Sequence, residues 1–209
     1  SEVRVDPPGL EALLGVPEGA QGIVAFAHGS GSGRLSPRNN HVAKALRQAG
    51  LATLLLDLLT PQEELDRRNV FDIPLLASRL IAATDWLARQ PHLAGLVPGY
   101  FGASTGAGAA LMAAAEPGSP VAAVVSRGGR PDLALDQLPD VRAPTLLLVG
   151  SLDGPVIDMN RRALAALRTE KRLVIVEGAG HLFEEPGTLD AVIEEAKSWF
   201  LTHLVSGGR

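Results

Sequence analysis

Gly102-Ala103-Ser104-Thr105-Gly106 is the stretch on which the reading of this chain turns. It follows a short apolar run, Val97 to Phe101, that reads as a strand, and it opens a small-residue run, Ala107 to Ala115, that reads as a helix. A serine at such a junction has to sit on a very sharp turn. Its glycine neighbours must then lack a Cβ, or strand and helix cannot approach each other. The turn exposes the serine Oγ at the positive end of a helix, where a developing oxyanion is stabilised. Small residues also cluster in ordinary turns, so the pentapeptide needs partners before it means catalysis.

Two further strand patterns supply them. Thr145 to Val149 ends at Gly150-Ser151-Leu152-Asp153, and Leu173 to Val176 ends at Glu177-Gly178-Ala179-Gly180-His181. In an open parallel sheet the carboxyl ends of the strands form the ligand-binding face. Ser104, Asp153 and His181 are therefore expected to meet there from distant parts of the chain. His181 would take the Ser104 proton and return it to a leaving group, while Asp153 fixes the imidazole tautomer. Asp158 is a nearby alternative acid, but it lies inside an expected helix, one turn further from the strand end.

A nucleotide-binding reading competes and fails on spacing. The strand Ile23 to Ala27 runs into His28-Gly29-Ser30-Gly31-Ser32-Gly33, and Asp57 ends the next strand, Leu51 to Leu56. A dinucleotide fingerprint starting at Gly29 needs a third glycine where Arg34 stands. The glycines around Ser104 also imitate a short-chain dehydrogenase loop, which requires Tyr-x-x-x-Lys. The single tyrosine, Tyr100, is followed four places on by Ser104.

Together these segments, from Gly22 to Leu204, resemble the α/β-hydrolase superfamily, and more closely its small, lidless, dienelactone hydrolase-like branch. The resemblance implies an eight-stranded, mostly parallel sheet with the second strand antiparallel and helices on both faces. It matches the chain order Ser, Asp, His. It also implies that the backbone N–H groups of Ser30 and Thr105 form an oxyanion hole, with His28 bracing the loop. Dienelactone hydrolases use a cysteine nucleophile, and this chain has no cysteine. A serine at the elbow looks like the esterase-type members. The activity implied is hydrolysis of small carboxylic esters through an acyl-enzyme, with a thioester, a lactone or a low-turnover ligand-binding role as alternatives.

The remaining sequence bounds this picture. The 209 residues are expected to form a single α/β-hydrolase domain, 1–209. A net charge of −4 gives no general attraction to nucleic acid or acidic membrane. With no cysteine, disulfides and thiolate metal sites are excluded. No carboxylate or histidine cluster has ligand spacing, so neither metal nor cofactor is expected. No signal-peptide pattern or membrane-length apolar run is seen, which leads to an expected cytoplasmic location. Short strands are expected at Val3 to Val5, Leu10 to Leu14 and Val121 to Val125. Helices are expected at Asn40 to Gln48, Ile73 to Arg89, Thr105 to Ala115, Val156 to Leu167 and Thr188 to Leu204. Residues 126–143 are too few for a lid, and the charged stretch Pro61 to Asp72 reads as a solvated loop on the active face, with a pocket rim as the alternative. Arg127, just past an expected strand end, either binds a substrate carboxylate or braces its loop.

Overall fold

Runs of consecutive apolar residues become the central strands, because a parallel sheet is covered on both faces and every position is buried. The computed structural model describes residues 1–206. Its strands are β1 (Glu2–Val5), β2 (Leu10–Gly15), β3 (Gly22–Ala27), β4 (Ala52–Leu56), β5 (Val97–Ala103), β6 (Val124–Arg127), β7 (Thr145–Gly150) and β8 (Lys171–Val176). No residue of β3, β4 or β7 is exposed. The spatial order is β1-β2-β4-β3-β5-β6-β7-β8. β2 is antiparallel to both neighbours, and the strands from β4 to β8 are parallel. This is the α/β-hydrolase architecture without a lid.

The helices are α1 (Pro37–Gln48), α2 (Pro61–Glu64), α3 (Arg67–Val70), α4 (Ile73–Arg89), α5 (Thr105–Ala114), α6 (Gly154–Ala166) and α7 (Thr188–Leu204). Alternation along the strands divides the core in two. Val24, Phe26, Phe101 and Leu146 pack beneath α1 and α7, with the rings of Phe26 and Phe101 5.0 Å apart. Ile23, Ala25, Leu54 and Tyr100 face α4, α5 and a 3-10 segment at Pro131–Asp140. Among the described residues no helix is long and apolar enough to cross a membrane.

Three sequence expectations are corrected. α1 begins three residues before Asn40, because Ser36 caps it by accepting the Asn39 N–H and Pro37 occupies its first turn. The Pro61 to Asp72 stretch is not plain loop but holds α2 and α3. Thr60 and Glu63 form a reciprocal capping box on the first, and Asp66 caps the second. β6 covers Val124–Arg127, where Val121 to Val125 was expected. Its ladder pairs Tyr100 with Val124 and Ala103 with Arg127, so Arg127 lies inside the sheet.

One buried polar pair links α4 to the elbow strand. Thr84 Oγ1 donates to the Leu80 carbonyl at 2.8 Å and lies 2.6 Å from the Tyr100 hydroxyl. Burial pushes the pKa of the phenol above the usual tyrosine range, outweighing the Thr84 bond, which lowers it. Tyr100→Phe leaves Thr84 its carbonyl bond and should cost about 0.5–1.5 kcal/mol. Thr84→Val leaves the buried phenol only a 3.4 Å contact with Leu80 and should cost more, about 1–3 kcal/mol. Thermal melts of the two variants check the ranking.

Candidate active site

The turn after β5 is as tight as its glycines suggested. Ser104 adopts φ 50° and ψ −122°, a region that side-chain-bearing residues rarely occupy. A Cβ on Gly102 would lie 2.5 Å from the Ala107 Cα, so only glycine lets β5 and α5 close on each other. A Cβ on Gly106 would strike the carbonyls of Ala27 and His28 at the end of β3. The strained residue is clamped by the loop after β6. Ser104 donates its N–H to the Arg127 carbonyl at 3.4 Å, and its own carbonyl accepts from the Arg130 N–H at 3.0 Å. Asn160, buried on α6, steadies that loop by donating to the Gly129 carbonyl at 3.1 Å.

Three strand ends meet at this turn. Ser104 Oγ is 2.9 Å from His181 Nε2, and His181 Nδ1 is 2.7 Å from Asp153 Oδ2. Asp153 starts α6 without capping it, because its carboxylate is turned to the imidazole. Asp158 does not join the group, being exposed on α6 beside Arg161. The loops carrying the acid and the histidine are laced together: Leu152 donates its N–H to the Ala179 carbonyl at 3.0 Å, and Ser151 Oγ accepts the Gly178 N–H at 2.8 Å. Glu185 accepts the Gly180 N–H at 2.8 Å, just before the histidine. Nothing in the sequence singled out Asn160, Ser151 or Glu185: the first two act on the backbone of a distant segment and Glu185 on the turn before it.

Gly29 packs against the serine, where a Cβ would meet Ser104 Cβ at 3.2 Å. Ser30 and Thr105 both line an open cavity of about 330 Å³. Among the described residues neither of their N–H groups has a hydrogen-bond partner. α2 and α3 wall the cavity with Glu64, Arg67 and Val70, above Leu59 and Leu76. A bidentate ion pair between Glu63 and Arg79 of α4 fastens this strap. The stretch is thus a pocket wall, which is the pocket-rim alternative and not the solvated loop.

Arg127 turns inward. Its side chain is 6% exposed and does not line the cavity. It donates to Asn39 Oδ1 at 3.2 Å and lies 5.9 Å from the centroid of the Phe183 ring. Burial, with Arg38 nearby, lowers its pKa to about 10. As the last residue of β6 it points under the histidine loop, which fits the bracing alternative and not the substrate fork.

Comparison with known proteins sharpens the assignment. No family model matches the sequence. The crystal structure of a dienelactone hydrolase from Anabaena variabilis is 60% identical, with a TM-score of 0.94 over 98% of this chain and 97% of that one. An esterase from Butyrivibrio proteoclasticus shares the fold, with a TM-score of 0.80 over 97% of each chain at 16% identity. A Mycobacterium tuberculosis protein named as a candidate phosphoribosyl transferase is 59% identical over 207 residues, which are 99% of this chain and 47% of that protein. The chain therefore spans about half the length of the curated relatives of that name.

His28 gives the site a measurable acid limit. Its Nε2 accepts the Leu58 N–H at 3.0 Å, and its Nδ1 is 2.9 Å from the Gly29 carbonyl, an arrangement that needs the neutral ring protonated on Nδ1. Burial, outweighing the Gly29 carbonyl and nearby carboxylates, lowers its pKa below 6.5. The unfolded chain then binds the proton more readily, so this contribution is complete above pH 6.5 and is lost as pH falls through the lowered value. His28→Gln, which cannot titrate, should show a shallower loss of melting temperature than the wild type from pH 7 down to about pH 5. Parallel slopes would contradict the assignment.

Proposed function

The chain belongs to the dienelactone hydrolase-like family of α/β-hydrolases, and on that premise we propose that it is a serine hydrolase of small carboxylic esters. The observation that carries this reading is the continuous relay of 2.9 Å from Ser104 to His181 and 2.7 Å from His181 to Asp153. Ser104 Oγ attacks the ester carbonyl while its proton passes to His181 Nε2. The negative oxygen so formed is met by the N–H groups of Ser30 and Thr105. Collapse expels the alcohol, which takes the proton from His181 and leaves an acyl group on Ser104. A water molecule, deprotonated by the same imidazole, then releases the acid. Asp153 holds the Nδ1–H and stabilises the imidazolium. The chemistry needs no metal or cofactor.

Lactone opening is the second reading. A lactone is an internal ester that the same relay can attack, and the Anabaena relative carries a lactone hydrolase name. The serine in place of a cysteine favours the ester reading. The transferase in the mycobacterial name is said of a protein about twice as long, and nothing in the relay calls for it. A soluble, cytoplasmic protein acting on small molecules remains the expected setting.

Fluorophosphonate labelling at Ser104 is the direct test, and it separates an enzyme from a binding member of the fold. Ser104→Ala should abolish labelling and lower kcat on a p-nitrophenyl ester by about 10⁴-fold or more. Asp153→Asn should cost roughly 10³- to 10⁴-fold through loss of the tautomer, and Asp158→Asn far less. The reverse ranking of the two aspartates would reassign the acid.

Chain length reports on the cavity. About 330 Å³ under a fastened strap, with no lid, suits short acyl groups. Turnover of p-nitrophenyl esters should peak between acetate and butyrate without a jump when substrate forms micelles. Preference for long chains or interfacial activation would contradict this.

A further inference from the structure

The two N–H groups offered to an oxyanion differ in how they are held. Thr105 opens α5, and the helix fixes it. Ser30 sits in Gly29-Ser30-Gly31-Ser32-Gly33, a loop without regular structure. Its internal ties are two turn bonds, Ser32 N–H to the Gly29 carbonyl at 3.2 Å and Ser36 N–H to the Gly33 carbonyl at 3.1 Å. Glycines make such a loop conformationally costly to order. Its geometry must therefore be imposed from outside.

The end of β4 imposes it. Asp57 Oδ1 accepts the backbone N–H of Arg34 at 2.6 Å, and Asp57 Oδ2 accepts Arg34 Nη1 at 2.6 Å. The two side chains are 19% and 25% exposed, so solvent screens the pair only partly. Asn40 Nδ2 holds the Arg34 carbonyl at 2.8 Å. The carboxylate also packs against the loop, since a Cβ on Gly33 would lie 2.8 Å from Asp57 Oδ1. At the other end of the loop, His28 is tied to Leu58, the next residue of the same segment.

We infer that Asp57 is a positioning residue for the oxyanion hole, setting the Ser30 N–H through Arg34. The inference rests on the oxyanion role of Ser30 and Thr105. It makes an ordered prediction, because one of the two bonds runs to the Arg34 main chain. Losing the Arg34 side chain spares that bond, and losing the Asp57 carboxylate removes both.

The test compares Asp57→Ala, Asp57→Asn and Arg34→Met with the wild type, using p-nitrophenyl acetate turnover, binding of an alkylboronic acid and thermal melting. A boronic acid forms a tetrahedral adduct on the serine whose oxygen occupies the oxyanion position. For Asp57→Ala, kcat should fall on the order of 10- to 100-fold, as for a misplaced catalytic contact, while KM moves by less than roughly threefold. The boronate dissociation constant should rise by the same factor as kcat/KM falls. Arg34→Met and Asp57→Asn, each keeping an acceptor for or from the Arg34 N–H, should fall between this variant and the wild type. If Asp57→Ala does not fold, those two variants carry the comparison. Unchanged kcat and boronate affinity, with or without a lower melting temperature, would overturn the inference. So would an Arg34→Met loss as large as that of Asp57→Ala. If instead Ser104→Ala keeps its turnover and the wild type binds no boronate, the serine reading itself fails.

Discussion

The backbone of Ser104 has to be held at φ 50°, because a non-glycine residue there costs of order 1–3 kcal/mol and relaxes unless its surroundings forbid it. The surroundings come from three strand ends and one helix. β5 delivers the residue, and α5 leaves it at once. The loop after β6 clamps both its N–H and its carbonyl. The end of β3 presses against α5 at Gly106, where there is no room for a Cβ. Relaxing the turn would move the Oγ away from His181 and the Thr105 N–H away from any oxyanion. The strain and the chemistry therefore share one set of supports.

Most of those supports are main-chain groups held by side chains from elsewhere. Asn160 holds the clamp loop from α6, Glu185 and Ser151 hold the histidine and aspartate loops, and Asp57, just past β4, holds the end of the glycine-rich loop after β3. The buried guanidinium of Arg127 fits the same scheme. It fills the space under Phe183, which itself sits at φ 54° two residues after His181. A guanidinium is less strongly hydrated than an ammonium, so it tolerates such a position beside an aromatic face better than lysine would.

The likeness to the Anabaena enzyme covers the whole sheet, whereas the mycobacterial relatives extend well beyond the matched part. The match to those longer proteins takes in 99% of this chain. The two single-turn helices of the strap are held by the Thr60–Glu63 capping box, the Asp66 cap, the Asn69 bond to the Glu63 carbonyl and the Glu63–Arg79 ion pair, and their side chains meet the cavity without building the relay.

The sequence by itself determined the sheet and the relay. Apolar runs mark buried parallel strands, a serine between glycines marks the turn, and Asp153 and His181 each follow a strand whose carboxyl end must face the same side. These signals are local in the chain, so periodicity and glycine placement make them legible. Only the tertiary structure decided where β6 stops, and with it whether Arg127 meets solvent or the core, because a short apolar run does not fix its own register. It alone turned Pro61 to Asp72 into a pocket wall, since an ion pair to Arg79 is invisible until α4 is packed. The ties from Asp57, Asn160 and Glu185 were unreadable for the same reason: each joins a side chain to the backbone of a segment distant in sequence or set on another turn, and backbone hydrogen bonding leaves no mark on the identity of the residue that receives it.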